Sequence, residues 1–157
     1  MEFEALYRKY SASIFRVCMG YVNDHEQAKD IVQETFIAVW QNLPSFRNEA
    51  NIGTWIFRIA TNNCLKAVNK RKGNFITELP DDLPQLKEVN KEPALDYLYR
   101  CIAELEETDR LIISLVLEDL PQSEIASIVG LSMANIRVKI HRIKGKLSEK
   151  FKAHGQF

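Results

Sequence analysis

Leu120-Pro-Gln-Ser-Glu-Ile-Ala-Ser-Ile-Val-Gly-Leu-Ser-Met-Ala-Asn-Ile-Arg-Val-Lys-Ile-His-Arg-Ile-Lys-Gly-Lys-Leu147 has the layout of a helix-turn-helix. A first amphipathic helix places Ile125, Ala126 and Val129 on one face, and Gly130 supplies the left-handed residue that ends it. Pro121 is expected at its first helical position, where the missing N–H costs nothing. Ser132 is placed to cap the second helix, in which Ile136, Ile140, Ile143 and Leu147 recur at steps of four, three and four and so form one buried stripe. The outward face carries Asn135, Arg137, Val138, Lys139, His141, Arg142, Lys144 and Lys146.

That face separates a reading helix from a packing helix. Residues 133–152 hold seven Lys or Arg against the single acid Glu149, a net of +6, whereas residues 94–132 hold two bases against eight acids, a net of −6. A chain that is neutral overall but polarised in this way attracts phosphate with one surface and repels it with the other. A Lys-rich solvated helix is the plain alternative. Charge alone does not decide between them, and Gly130, Ser132 and the apolar spacing favour the DNA-reading form.

Working outward, the apolar periodicity predicts further helices. Phe3, Leu6, Tyr7, Tyr10, Ile14, Val17, Cys18 and Tyr21 follow steps of three and four. A second helix is expected over about 24–41, with Ala28, Ile31, Val32, Thr35, Phe36, Val39 and Trp40 on its apolar side, and a third from about Ile52 to Val68. Residues 73–93, with Pro80, Pro84, Pro93, five acids and two lysines, read as an acidic linker of net −3. After it, Leu95, Leu98, Ile102 and Leu105 are expected on one helix, and Thr108 as the cap of another that buries Leu111, Ile112, Leu115 and Val116. The expected fold class is therefore all-α, with a helical domain at 1–72, the linker at 73–93 and a helix-turn-helix domain at 94–157.

Composition narrows the class. With 157 residues, 46% of them apolar and 27% charged, the chain suits one ordinary domain or two small ones. No apolar run approaches the ~20 residues that cross a bilayer, and Met-Glu-Phe-Glu at the start lacks the pattern of an export signal, so a cytoplasmic protein without membrane insertion is expected. Cys18, Cys64 and Cys101 are odd in number and widely spaced, which points to reduced buried thiols rather than disulfides or a zinc site. His25, His141 and His154 are scattered and no phosphate-cradling glycine loop is present; no catalytic residue, metal or cofactor is expected.

Two small helical domains on an acidic tether, the second a helix-turn-helix, resemble an extracytoplasmic-function (ECF) RNA polymerase sigma factor. The segment Asp24-His-Glu-Gln-Ala-Lys-Asp-Ile-Val-Gln-Glu-Thr-Phe36 is similar to that family's helix for binding the polymerase core. The resemblance implies that Asp30, Gln33, Glu34 and Trp40 face the core enzyme; the first three also share one polar helical face. Phe46 to Arg71 is similar to the family's element for the −10 promoter region. There Asn48 and Asn51 lie in a polar loop suited to an unstacked base, Asn62, Asn63 and Lys66 on the expected exposed side of the helix, and Lys70 and Arg71 toward phosphate. Trp55 followed by Ile56 departs from the adjacent aromatics of primary sigma factors and implies less aromatic-driven melting.

Residues 95–151 resemble the family's −35 domain, which implies Arg137, Val138, His141 and Arg142 near major-groove edges, Ala134 and Asn135 at the entrance, and Lys139 and Lys144 on the backbone. The implied partners are core polymerase, promoter DNA and an inhibitory anti-sigma factor. Two rivals remain. A helix-turn-helix regulator acting without a holoenzyme is disfavoured by Asp30-Ile-Val-Gln-Glu34, and a recombinase lacks its nucleophile or acidic metal cluster. Charge placement also raises the expectation that the acidic linker and the acidic 94–132 surface screen the basic helices in the free chain.

Overall fold

The computed structural model describes residues 2–48, 51–67, 83 and 93–154; Lys70, Arg71 and the expected linker apart from Leu83 and Pro93 lie outside them. Among the described residues the fold is all-α. It runs α1 (Phe3–Val22), α2 (His25–Asn42), a 3-10 turn (Leu43–Ser45), α3 (Ile52–Ala67), α4 (Pro93–Ala103), α5 (Glu107–Leu117), α6 (Gln122–Val129) and α7 (Met133–His154).

Local chemistry sets the boundaries. Asn23 ends α1 in the left-handed region at φ 50°, and the Asp24 carboxylate caps α2 by accepting from the Gln27 N–H at 3.0 Å. Gly130, at φ 77°, ends α6, and the Ser132 hydroxyl accepts from the Asn135 N–H at 3.1 Å to start α7. Three expected boundaries differ. Pro121 is the residue before α6 rather than its first helical one, because its ψ of 151° is extended. Thr108 lies inside α5, which begins at Glu107 after the extended Glu106. Leu105 is buried but falls beyond the end of α4.

The apolar stripes meet in one continuous cluster that includes Ile14, Phe15, Phe36 and Ile56 from the first half and Ile102, Ile112, Ile125 and Ile136 from the second. α1 packs on α2 and α3, and α7 packs on α5 and α6. The two halves are also packed on one another: α1 lies against α4 and α5, and α3 against α6. A Cβ added to Gly20 of α1 would collide with the Ser114 Oγ of α5, so glycine is what permits the approach. Beside it the Arg110 guanidinium covers the Tyr21 ring at 4.8 Å. Arg16 grips Glu118 through two hydrogen bonds, Nε to Oε2 at 2.8 Å and Nη2 to Oε1 at 2.7 Å. Hydrogen bonding to Glu118, aided by that group's charge, raises the arginine's pKa further above its already high value and outweighs the opposing effect of burial.

Candidate nucleic-acid and polymerase interface

α7 presents two different faces because its sequence does. Ile136, Ile140, Ile143 and Leu147 are buried against α5 and α6, as their spacing predicts. Ala134, Asn135, Arg137, Val138, His141, Arg142 and Lys144 are all exposed on the other side. Lys139 sits at the edge of that face, half-buried, with its Nζ 3.7 Å from Asp109, a carboxylate only 7% exposed. This pair ties the basic helix to α5, so Lys139 is less available to a phosphate than Arg142 or Lys144. Lys150 pairs with Glu104 in the same way near the other end. Part of the acidic 94–132 charge thus neutralises the flank of α7 and leaves its outer surface cationic.

The loop before α3 and its first turn form a second polar surface. Asn48 is exposed and adopts φ 57°, a conformation asparagine tolerates better than most side chains. The Asn51 side-chain oxygen accepts from the Gly53 N–H at 2.8 Å and so fixes the start of α3. Asn62 and Lys66 are exposed. Asn63 is not: it is half-buried and its amide donates to Thr35 Oγ1 at 3.3 Å, locking α3 to α2. Arg58, on the same helix, donates to Ser127 Oγ of α6 at 2.7 Å.

Between these elements lie concavities that spacing did not reveal. Phe3, Trp40, Gln41, Leu43, Pro44, Phe46 and Asn48 line an open groove of about 920 Å³. Trp40, expected on the apolar side of α2, is 44% exposed, with its ring edge-on to Phe3 at 4.9 Å. Phe46 separates this groove from a second of about 490 Å³ that contains Arg47, Trp55 and Arg58, and its ring lies 4.8 Å from Trp55. The sequence signal was Leu43-Pro44-Ser45, a helix end that reads as punctuation and in fact folds Phe46 back toward α3. On α2, Gln33 is exposed while Asp30 and Glu34 are half-buried at the margin of the same face.

A helix with a cationic outward face entered through the Gly130 turn and the Ser132 cap, a second polar and aromatic surface in the first half, and no strand among the described residues have the layout of a helix-turn-helix transcription factor. The family model of sigma-70 region 2 matches residues 6–73, and that of sigma-70 region 4 matches residues 95–147. The ECF RNA polymerase sigma factor SigW of Bacillus subtilis is 25% identical over 154 residues, covering 85% of this chain and 80% of that protein. The RNA polymerase sigma factor YlaC of the same organism is 25% identical and covers 93% and 90%. The ECF sigma-E factor of Escherichia coli K12 is 27% identical and covers 94% and 85%. In fold, the sigma factor RpoE of Bartonella quintana, solved with the anti-sigma factor NepR, superposes with a TM-score of 0.75 at 22% identity over 96% of both chains. CnrH, solved with the cytosolic domain of CnrY, gives 0.71 at 22% over 96% and 88%.

The chain belongs to the ECF family of RNA polymerase sigma factors. It is accordingly a non-catalytic initiation factor that binds RNA polymerase and recognises promoters. No described helix is long and apolar enough to cross a membrane.

Proposed function

We propose that the chain directs core polymerase to promoters by reading two elements, the −35 element with α7 and the −10 element with α3 and the loop before it. The outward face of α7 carries the proposal: exposed Arg137, His141 and Arg142 on a helix whose inward face is fully apolar, entered through the Gly130 turn and the Ser132 cap. On this reading Arg137 and Arg142 reach base edges, and Lys144 holds the phosphate backbone. The groove beside Asn48 and Trp40 offers an unstacked base an aromatic wall and an amide, which duplex opening requires. Asn62 and Lys66 follow the strand along α3, with Lys70 and Arg71 continuing it beyond the described residues. Asp30, Gln33 and Glu34 form the core-facing patch of α2, and Trp40 is shared between that patch and the groove.

An anti-sigma factor is a further proposed partner. Its support is the likeness over both modules together to the sigma factor RpoE, solved with the anti-sigma factor NepR, and to CnrH, solved with the cytosolic domain of CnrY. The full chain, mixed with core polymerase, is expected to bind and initiate at defined start sites mapped from transcripts induced by overexpression. Arg137→Ala is expected to relax preference at one upstream position at a cost of about 1–3 kcal/mol, and Lys144→Ala to weaken all sequences alike and reduce the salt slope by about one. Equal losses for Arg137→Ala on matched and mismatched promoters, or no association with the core enzyme, overturn the proposal.

A further inference from the structure

Val138 stands apart on α7. It lies two residues from Ile136 and two from Ile140, both buried, so at 3.6 residues per turn it points directly away from the apolar stripe. It is 53% exposed, the most exposed large apolar side chain among the described residues. Its neighbours on that face, one turn to either side, are Ala134, Asn135, His141 and Arg142, all exposed. Among the described residues nothing buries this valine. A β-branched residue has lower helix propensity than the Lys, Arg or Ala around it, and here it gains no packing in return.

A partner surface met by this face would bury it. If α7 enters a major groove, as the proposed function holds, the edges it meets are donors and acceptors except for one apolar group, the C5-methyl of thymine. We infer that Val138 is a specificity determinant that contacts a thymine methyl in the upstream promoter element. Arg142 and His141, one turn further along, hold the helix against adjacent polar edges and phosphates. Ala134, one turn earlier, is small enough not to keep the valine from the base. This inference rests on the major-groove reading and adds to it a named base at a named side chain.

The test uses the full chain with core polymerase. Promoter duplexes randomised across the upstream element are selected by wild type and by Val138→Ala, and the bound fractions are sequenced. Wild type is expected to select thymine at a position where Val138→Ala loses that preference while keeping the others. Replacing that thymine by deoxyuridine, which removes only the methyl, is expected to weaken wild type by about fourfold, the effect of one buried methyl group, and to leave Val138→Ala unchanged. Val138→Ala removes an exposed side chain and raises helix propensity, so loss of folding does not intervene. Thymine preference retained by Val138→Ala, or equal sensitivity of both proteins to deoxyuridine, refutes the role of Val138 while the groove reading stands. Absence of any upstream sequence preference in wild type refutes the groove reading, and the inference with it.

Discussion

Gly20→Ala tests whether the two modules are apposed in the free chain, because the sign of its effect depends on that contact. In an open helix interior, alanine is favoured over glycine by about 0.8–1.0 kcal/mol. At Gly20 the new Cβ would collide with Ser114 Oγ and stand 3.0 Å from Ser114 Cβ. Rotating the hydroxyl away breaks its 2.7 Å bond to the Arg110 carbonyl and still leaves the two carbons well inside the ~3.5–4.0 Å of good packing. α1 and α5 must therefore part by roughly half an ångström. Overpacking of this kind costs about 1–3 kcal/mol, which offsets the helix gain and leaves a net loss of up to about 2 kcal/mol.

Urea denaturation of Gly20→Ala, Ser114→Gly and the double variant measures the coupling. The expected coupling is about 1–2 kcal/mol, since Ser114→Gly removes both obstructing atoms and lets the introduced alanine express its propensity. A Gly20→Ala protein that is stabilised by the full helix increment, with additive effects in the double variant, refutes the apposition. The two positions are 94 residues apart in sequence and lie in the regions matched by different family models, so no arrangement within one module mimics the result.

Gly145→Ala is the contrasting case: a Cβ there meets nothing within 4 Å, so thermal denaturation is expected to show stabilisation by about 0.8–1.0 kcal/mol. Arg16→Ala is expected to cost about 1 kcal/mol, a value limited by the arginine's exposure, and to abolish most of the salt dependence of the module contact measured by denaturation at several ionic strengths. Burial pushes the Cys18 thiol well above its ordinary range, and the close pairing of its sulfur with that of Cys64, 3.8 Å away, acts in the same direction. The neutral thiol is thus favoured by the fold. Its contribution is full below the unfolded value of roughly 8.5 and declines as pH rises beyond it, so alkylation at Cys18 is expected to be slow in the native chain near pH 8, to require unfolding, and to be followed by mass spectrometry.

What was legible in the sequence was local or periodic. The isoleucine stripe of α7, the Gly130 terminus and the Ser132 cap follow from spacing and from backbone requirements that one residue satisfies alone. Pro121 was misplaced by one position because its fixed φ suits both the residue before a helix and the first one within it; only ψ separates them. Asn63 read as exposed because an amide on a helix gives no sign of a hydroxyl such as Thr35 on its neighbour. The apposition of the modules was invisible. It depends on Arg16 and Glu118, 102 residues apart, and on a glycine whose helical setting carries no turn signal. The groove at Trp40 and Phe46 was missed for a related reason, since aromatics at helix ends read as core until the chain between them is placed.

The observed packing places a demand on the two-element reading. α3 packs on α6 and α6 packs on α7, and packed helices lie about 8–10 Å apart between axes, so the two candidate DNA surfaces are separated by roughly 20 Å. Promoter elements two helical turns apart lie roughly 70 Å from one another along the duplex. No side-chain rearrangement covers that difference. The α1–α5 and α3–α6 contacts must therefore break before both surfaces engage one promoter, and the segment between α3 and α4, residues 68–92, is long enough to allow it at ~3.3–3.6 Å per extended residue. The contacts to be broken include the Arg16–Glu118 and Arg58–Ser127 pairs, the close-fitting helix crossing at Gly20, and the apolar packing that joins the two halves in one cluster.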